Sequence, residues 1–525
     1  MTARLSLTTL PAALRPIVEP SKVGIVHLGL GAFHRAHQAV FTEEAAILTG
    51  ETGWGISGIS QRSAAVREQL APQDGLYSVL TRGSGDPGIR VIGSIREVLT
   101  APEDPEAVVA RIGDPAVAAV TLTVTEKGYR AAVQGGLDLT DPEIQADLAG
   151  RPPRTVVGQL AAGLVRRAET GAGPLTVLSC DNLVANGPFL RRLMEDYAAA
   201  LAGSSPPSSA GVASGGAGRI RLDAKVLAEQ LEVARFPASM VDRIVPATTD
   251  ADREEAAGLL GVRDEAVVVA EPFLQWVIED DFAGPRPGWE KAGAILTGDV
   301  APWEQAKLRM LNATHSMLAY LGALRGYETI AEAVRDEQLA GLATELMTKD
   351  VIPTLTPPEG LDLKAYGQSV LERFANPALK HRTAQVAMDG SVKLPVRLLG
   401  TIRDRLAANA EPRLAGLAVA AWMVYVAGGV DAKGNVLKLD DPQAGKLQAT
   451  LADAGITPGH RSRGGGTSLA RPAGAPAEAG GIALGATPAS VVDALLGVES
   501  IFGADLRDNT VFRELLIDQV GSLTR

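Results

Sequence analysis

Short apolar runs alternate with longer helical stretches through the first half of the chain. Four of these runs are rich in β-branched residues and predict strands: Val23–Leu28 and residues 54–59, 117–124 and 175–180. Strands that alternate with helices pair in parallel, and the helices then cover both faces of the sheet. We therefore expect an α/β fold whose ligands bind beyond the carboxyl ends of these strands.

The pattern changes at about Pro302, where longer helical periodicity replaces the β-branched runs. A chain of 525 residues exceeds the roughly 250 to 300 residues that one hydrophobic core supports, so two domains are expected. We predict an N-terminal extension over residues 1–22, an α/β domain over residues 23–298 and a mostly α-helical domain over residues 299–525.

Two segments are rich in Gly, Ala, Ser and Pro, residues 202–218 and 457–488. Such a composition cannot bury enough apolar area to offset the entropy that ordering the chain costs. Neither glycine-rich run is followed by the Lys-Ser/Thr pair of a phosphate-binding P-loop. Both segments are therefore expected to be flexible surface insertions.

Composition narrows the class of protein. The net charge is −11 and no long run of Lys or Arg occurs, which argues against a nucleic-acid partner. No run approaches the ~20 apolar residues of a membrane span. The single cysteine, Cys180, excludes an intramolecular disulfide and a thiolate zinc cage and fits a reducing compartment. With no signal-peptide pattern at the N-terminus, we expect a cytoplasmic protein.

A glycine-containing turn follows the first predicted strand. Gly29 and Gly31 permit a tight turn at which backbone N–H groups can approach a pyrophosphate, and a helix through His37, Gln38 and Phe41 is expected to follow. We expect Gly29, Gly31 and Phe33 to bind the cofactor. The third glycine of the dinucleotide fingerprint is replaced by His34, so the motif alone is weak, but its place after the first strand strengthens it. After the second strand no acid is present to hold a ribose. Arg62 there suits the 2′-phosphate of NADP or is an ordinary surface arginine.

The most informative segment is residues 302–324, PWEQAKLRMLNATHSMLAYLGAL. At about 100° per residue, Glu304, Lys307, Asn312 and His315 fall within an arc of about 140° on a helix that is apolar nearly all round. A core helix with an internal ion pair explains any one of these residues. Four buried polar groups on one face indicate a site, because each isolated burial costs free energy.

These residue types suit the oxidation of a secondary alcohol by a nicotinamide cofactor. That reaction needs a base for the hydroxyl proton and donors for the developing oxyanion. Lys307 can be the base once burial or a neighbouring cation favours its neutral form. Asn312 can polarise the oxygen, His315 can orient a hydroxyl, and Glu304, one turn before Lys307, can relay the proton.

Two further segments follow predicted strands. Asn182 lies just past residues 175–180, at the edge where a nicotinamide is expected, although Asp-Asn pairs also favour turns. Asp242 and Arg243, in FPASMVDRIVP, are as compatible with a structural ion pair as with a substrate contact.

The chain carries, in this order, the segments VHLGLGAFHRAHQA, LTVTEKGY, SCDN, MVDRIVP, EPFLQWVIEDDF, KLRMLNATHSMLAYLG, HRTAQVAMDGSVKLP, GGVDAKGN and SIFGADL. Their resemblance is to the mannitol dehydrogenase family, the polyol-specific long-chain dehydrogenases. It implies a Rossmann-type dinucleotide-binding domain, a helical substrate-binding domain, an active site between them and no zinc. It also implies that Lys307 is the base, Asn182 and Asn312 the oxyanion pair, and His315 a substrate-orienting residue.

The same resemblance leaves the substrate open between sugar acids and polyols. It places Asp242 and Lys393 in the substrate pocket, and Gln385, where mannitol dehydrogenases carry an arginine, resembles the fructuronate reductases (mannonate oxidoreductases). Lys127 in TEKGY also favours the fructuronate reductases, whereas the segment LVANG differs from the sequence of that subfamily. We expect NAD as the cofactor, with NADP possible, a sugar-acid or polyol substrate of the D-mannonate/D-fructuronate type, and a monomer or weak homo-oligomer.

Alternative functions also fit parts of the sequence. Within the family, the substrate can instead be mannitol, arabinitol or mannitol phosphate. A hydroxyacid dehydrogenase resembling 6-phosphogluconate dehydrogenase also joins a Rossmann domain to a helical one, but the spacing of Lys307, Asn312 and His315 argues against it. A catalytically silent nucleotide sensor would have no need of a base.

Overall fold

The computed structural model describes residues 3–83, 85, 88–132, 135–203, 220, 222–456 and 486–524. The chain divides into two compact units, Met1–Ala301 and Pro302–Arg525. Most of the two segments predicted as insertions lies outside the described residues. At their edges, Gly203 ends a helix and Pro488 begins one, so the helices extend into both predicted segments.

The strands of the first unit form one large sheet and two small ones. The described strands are β1 (Val23–Leu28), β2 (Gly55–Ser60), β3 (Tyr77–Thr81), β4 (Gly88–Ile92), β5 (Ile95–Thr100), β6 (Ala119–Leu122), β7 (Thr176–Ser179), β8 (Ser239–Asp242), β9 (Val268–Ala270), β10 (Gln275–Glu279) and β11 (Ile295–Thr297).

Nine α-helices are described in this unit: α1 (Ala32–Ala36), α2 (Gln38–Thr49), α3 (Ala65–Leu70), α4 (Pro105–Ile112), α5 (Pro142–Leu148), α6 (Val156–Thr170), α7 (Asn186–Gly203), α8 (Ala224–Val233) and α9 (Asp250–Leu260). Short 3₁₀ turns occupy Ala12–Leu14, Ala71–Gln73 and Glu126–Tyr129.

Helix α6 shows why these α-helices begin and end where they do. The hydroxyl of Thr155 accepts a hydrogen bond from the N–H of Gly158 at 3.0 Å, and Gly171, with φ 69°, ends the helix in a left-handed conformation.

The large sheet is parallel and has the order β5-β2-β1-β6-β7. The apolar runs predict four of its five strands, β1, β2, β6 and β7. This agreement confirms the α/β class. This order, in which the chain moves outward from β1 in both directions, is typical of Rossmann-type sheets. The carboxyl ends of β1, β6 and β7 therefore lie side by side.

Helices bury both faces of this sheet. One hydrophobic cluster joins Val26, Leu28 and Val120 to helices α4, α6, α7 and α8, and another joins Ile25, Ile56 and Leu178 to α1 and α2. Burial on both faces explains why the strands read as continuous apolar runs rather than as alternating ones.

The two smaller sheets complete the first unit. They have the orders β11-β10-β8 and β4-β3-β9. Residues before β1 also pack on this unit: Leu5 and Leu10 are fully buried beside Val91 and Leu260, and the N–H of Leu5 donates to the carbonyl of Arg263 at 2.8 Å. The segment predicted as an N-terminal extension thus contributes to a hydrophobic cluster.

Every regular element described in the second unit is helical. The α-helices are α10 (Ala301–Ala306), α11 (Ala313–Leu324), α12 (Ile330–Arg335), α13 (Glu337–Glu345), α14 (Leu363–Phe374), α15 (Thr383–Ala387), α16 (Gly390–Leu394), α17 (Gly400–Ala407), α18 (Arg413–Gly428), α19 (Ala444–Asp453), α20 (Pro488–Leu496), α21 (Glu499–Arg507) and α22 (Thr510–Leu523). Two 3₁₀ turns occupy Ile352–Thr354 and Pro377–Leu379.

Three π-helical segments interrupt these helices, at Lys307–Asn312, Leu346–Val351 and Pro395–Leu399. The first joins α10 to α11 and the third joins α16 to α17, each within one continuous helix. Every residue of α11 is buried, as its apolar sequence predicts. Among the helices that the structure describes, none combines the length and the apolar character that crossing a membrane requires.

Candidate active site

The turn after β1 is built around two glycines with different constraints. Gly29 has φ 97°, and a Cβ on it would lie 2.1 Å from the carbonyl oxygen of Thr123 on the neighbouring strand. A Cβ on Gly31 would meet no described atom closer than 3.8 Å. Gly29 is therefore required by the fold, whereas the space beside Gly31 is open for a close approach to the backbone, as a pyrophosphate needs.

The helix that opens after this turn carries packed rings. Phe33 is half-buried and stacks on His37 with ring centroids 5.0 Å apart. His34 is fully buried and stacks on His27 at 3.4 Å, and neither of its ring nitrogens has a hydrogen-bond partner among the described residues. Burial, with smaller contributions from His27, Arg35 and His37, holds the pKa of His34 well below its usual range. An uncharged ring thus occupies the position of the third fingerprint glycine.

His27 is anchored to the next strand. Its Nδ1 and Nε2 each lie 2.8 Å from a threonine hydroxyl, of Thr121 and Thr123 respectively. Burial lowers the pKa of His27 to about 3, so this ring is neutral. The pair of rings fixes the glycine turn against β6.

Arg62 lies in the bend after β2. Its side chain is exposed, and the described residues give it no hydrogen bond and no ion pair. Neighbouring side chains are occupied instead: Gln61 exchanges hydrogen bonds with Gln159 at 3.0 and 3.1 Å, and the hydroxyl of Ser60 donates to the carbonyl of Ser63 at 2.6 Å. Arg62 is accordingly available to a ligand at this strand end.

Asn182 is exposed just beyond β7, and its neighbour Asp181 is tightly held. The carboxylate of Asp181 accepts hydrogen bonds from the N–H of Val124 at 2.9 Å, the N–H of Thr125 at 3.0 Å and the hydroxyl of Tyr129 at 2.8 Å. Burial raises the pKa of Asp181, and these hydrogen bonds oppose the rise. The ends of β6 and β7 are thus joined through one carboxylate.

Asp242 and Arg243 have different surroundings. Asp242 is buried and ends β8, opposite Gln275 of β10. Arg243 donates to the carbonyl oxygen of Glu271 at 3.0 and 2.8 Å and to that of Ala36. Burial lowers the pKa of Arg243 to about 10, against the opposing charge of Glu271. Arg243 therefore braces the backbone of the first unit.

In the second unit, the polar residues of the predicted catalytic helix are buried. Lys307 is 5% exposed, Asn312 9% and His315 8%, while Glu304 is half-buried. The assumption of uniform α-helical spacing is wrong, because Lys307–Asn312 is a π-helical segment. A π turn holds more residues than the 3.6 of an α turn, so Lys307 and Asn312 lie closer together around the axis than the predicted 140°.

His315 has a ring on two sides. It stacks on Phe374 with centroids 4.6 Å apart and meets His381 edge-on at 4.8 Å. Burial, followed by the charges of His381, Arg397, Lys393 and Arg373, holds the pKa of His315 well below its usual range. Burial and Lys393 also lower the pKa of His381 to about 4. Within the described part of the chain, Nε2 of His315 and Nδ1 of His381 have no hydrogen-bond partner.

Arg397 connects two π-helical segments. Its guanidinium donates to the hydroxyl of Ser316 at 3.0 Å and to the carbonyl oxygen of Asn312 at 3.4 Å. It therefore ties the segment Pro395–Leu399 to the end of the π turn that carries Lys307 and Asn312.

The two predicted pocket residues of the HRTAQVAMDGSVKLP segment differ. The ammonium of Lys393 donates to the carbonyl of Met388 at 2.6 Å and lies 3.9 Å from the carboxylate of Asp389, whereas Gln385 is exposed on α15. Gly390 allows this segment to pack closely, since a Cβ there would lie 2.4 Å from the indole nitrogen of Trp422.

Sequence reasoning missed His381, Arg373 and Arg397 as neighbours of His315. All three are far from His315 in sequence, and no periodicity or short motif marks them. The only signal was the family-like segment that contains His381. Among the described residues there is no group of three or more His, Cys, Asp or Glu arranged to hold a metal ion.

A Rossmann-type sheet with a glycine turn after its first strand, combined with a helical unit that buries Lys, Asn and His on one helix, defines a dinucleotide-dependent oxidoreductase acting on CH–OH groups. The chain belongs to the mannitol dehydrogenase family. The model of the mannitol dehydrogenase Rossmann domain matches residues 23–291, and that of the C-terminal domain matches residues 299–458.

Individual relatives cover most of the chain. It is 42% identical to the D-mannonate oxidoreductase of Escherichia coli, over 84% of this chain and 89% of that protein. It is 37% identical to the polyol:NADP oxidoreductase of Gluconobacter oxydans, over 86% of this chain and 91% of that one. The structure of Pseudomonas fluorescens mannitol 2-dehydrogenase in a ternary complex with NAD and D-mannitol matches with a TM-score of 0.80 and 34% identity, covering 99% of this chain and 96% of that one.

Proposed function

We propose that this oxidoreductase interconverts a sugar acid and its keto form, of the D-mannonate and D-fructuronate type, with NAD as its cofactor. The observation that carries the proposal is the set of basic side chains that act on His315. These are Arg373, Lys393 and Arg397, and the ring of His315 itself is buried. Basic side chains in a desolvated place can pair with a substrate carboxylate. The identity with a D-mannonate oxidoreductase supports the same substrate class.

The residues after β1 fit a dinucleotide. Gly29 permits the tight turn, the open space beside Gly31 lets a pyrophosphate approach the backbone, and the half-buried ring of Phe33 lies at the start of α1. When bound, a nicotinamide supplies the hydride for the reduction or accepts it in the oxidation. The likeness to a family member solved with NAD supports this cofactor.

The roles of the polar residues are carried over from the family resemblance. Lys307 takes the proton of the substrate hydroxyl at Nζ, and Asn312 and Asn182 donate side-chain N–H groups to the reacting oxygen. His315, kept neutral by burial, orients a neighbouring hydroxyl. Glu304 relays the proton from Lys307 to solvent, and this mechanism uses no metal ion.

Three further residues complete the proposed substrate contacts: Asp242, Gln385 and Lys393. The burial of Asp242 and the electrostatic effect of Lys393 on His315 support two of them. For Gln385, whose side chain is exposed, only the family resemblance supports a substrate contact.

Arg62 bears on the choice between NAD and NADP. Because its exposed side chain follows β2 with no acid beside it, we propose that NADP is also accepted. Titration with NADH and NADPH tests this. Arg62→Ala should weaken NADPH binding and leave NADH binding unchanged; equal effects on both would contradict the role.

The substrate is tested by reducing fructuronate, tagaturonate and fructose side by side with NADH. Activity on the two keto acids is expected, and activity on fructose alone would contradict the proposal. Lys393→Gln should raise KM for fructuronate more than KM for fructose. Lys349→Gln, at an exposed lysine paired with Glu345, is the matched control and should change neither.

A polyol dehydrogenase acting on mannitol, arabinitol or mannitol phosphate is the second candidate. The likeness to mannitol 2-dehydrogenase solved with D-mannitol favours it. The same panel, extended to mannitol oxidation with NAD, separates the two. We further propose a cytoplasmic location, since the only cysteine is a buried free thiol that fits a reducing compartment, and a monomer or weak homo-oligomer.

A further inference from the structure

The carboxyl ends of β6 and β7 are joined to the first residue of β8 by a network centred on Asp181. Its carboxylate accepts the hydrogen bonds of Val124, Thr125 and Tyr129 described above. Its backbone carbonyl accepts from Nδ2 of Asn186 at 3.0 Å. Asn186 is itself bonded to the N–H and the carbonyl of Ser239, at 2.9 and 2.8 Å, in the first residue of β8.

One of the groups that Asp181 holds is in an unusual backbone conformation. Thr125 has φ 64° and ψ 164°, a region used almost only by glycine, which costs about 1–3 kcal/mol for other residues. Such a conformation persists only where the surroundings impose it. The N–H of Thr125 is fixed by Asp181, and its side chain is exposed, so no packing of that side chain explains the conformation.

Residue 181 is therefore fixed through its carboxylate and its carbonyl, and Asn182 follows it directly. The side chain of Asn182 leaves the chain one residue from this anchor, so its direction depends on how residue 181 is held. The same network reaches β8, which ends at the buried Asp242. A group placed about 1 Å away from its productive position can cost about a hundredfold in rate.

We infer that Asp181 is a positioning residue for the reaction: without contacting the substrate, it fixes the strained turn at Thr125 and the direction of Asn182. The inference rests on the proposed function, because the role of Asn182 belongs to it.

The test compares Asp181→Asn with Asp147→Asn. Asp147 is a matched control, because its buried carboxylate also accepts two backbone N–H bonds, from Arg154 and Thr155 at 3.0 Å, and a hydroxyl, but at the end of α5. Both variants should lose stability. Only Asp181→Asn should lower kcat, by about 10- to 100-fold, with KM for NADH within about twofold of wild type. It should also show a larger isotope effect with 4-deuterated NADH, because hydride transfer is slowed.

Two further variants keep the inference open to refutation. Thr125→Gly, combined with Asp181→Asn, should recover part of kcat, because glycine adopts this backbone conformation without being held. If Asp181→Asn does not fold, Tyr129→Phe removes one of the three hydrogen bonds and should lower kcat by a smaller factor. If Asp181→Asn folds and has the kcat and isotope effect of wild type, the inference is overturned. If Asp181→Asn does not fold, the same result in Tyr129→Phe overturns it.

The assay uses whichever substrate of the panel the wild-type enzyme turns over. A wrong substrate assignment therefore leaves the comparison between Asp181 and Asp147 intact. If the wild-type enzyme reduces none of the panel, the proposed function fails and the inference is refuted with it.

Discussion

Gly29 and Gly31 lie two residues apart in one turn, yet the structure predicts opposite consequences for an added methyl group. Gly29→Ala places a Cβ at 2.1 Å from the carbonyl oxygen of Thr123 and forces alanine into φ 97°. Gly31→Ala places it where the nearest described atom is 3.8 Å away, in an extended conformation that any residue adopts.

The magnitudes follow from these two geometries. For Gly29→Ala, the left-handed backbone costs about 1–2 kcal/mol, and the clash with β6 adds about 1–3 kcal/mol, so a loss of about 2–5 kcal/mol in the free energy of unfolding is expected. For Gly31→Ala, stability should be unchanged or higher by about 0.4–1 kcal/mol, since alanine restricts the unfolded chain. A methyl group in the space of the pyrophosphate should cost about 1–3 kcal/mol of binding, which is about a 5- to 150-fold rise in Kd.

Urea unfolding and NADH titration by fluorescence measure the two effects separately. Gly29→Ala should unfold at clearly lower urea than wild type, whereas Gly31→Ala should unfold normally and bind NADH weakly. NADH binding at wild-type affinity in Gly31→Ala would refute the placement of the pyrophosphate at this turn. Wild-type stability in Gly29→Ala would refute the packing argument.

Three other perturbations test different parts of the molecule. Lys307→Ala should abolish turnover while the Kd for NADH stays near that of wild type, and full activity in this variant would overturn its role as the base. Arg397→Met should lower kcat by about tenfold, because the guanidinium no longer holds Asn312 and Ser316, with steady-state kinetics as the measure. Burial raises the pKa of Glu43 from 4.5 to about 7, so the folded protein binds this proton more tightly than the unfolded chain does, and stability should fall as pH rises through about 5 to 7. Glu43→Gln should remove that fall in urea unfolding measured at pH 5 and pH 8, and an unchanged pH dependence would contradict the assignment.

Much of the architecture is readable from local pattern. Runs of apolar residues predict the parallel strands β1, β2, β6 and β7 and the buried helix α11. An element that is buried on both faces of a sheet, or all round a helix, has apolar residues at consecutive positions. The glycine turn after β1 is visible for the same reason, because backbone conformation restricts residue type at a single position. Order and identity of motifs along the chain were enough to indicate the family.

Tertiary structure alone decided which polar groups meet. His315 and His381 are 66 residues apart, Arg397 reaches Ser316 across 81, and Asp181 reaches Thr125 across 56. The π turn that moves Lys307 towards Asn312 was equally hidden, because uniform helical spacing was the natural assumption. Apolar burial is a property of a residue and its neighbours in sequence, whereas a hydrogen bond or a charge contact belongs to a pair of residues that only the folded chain brings together.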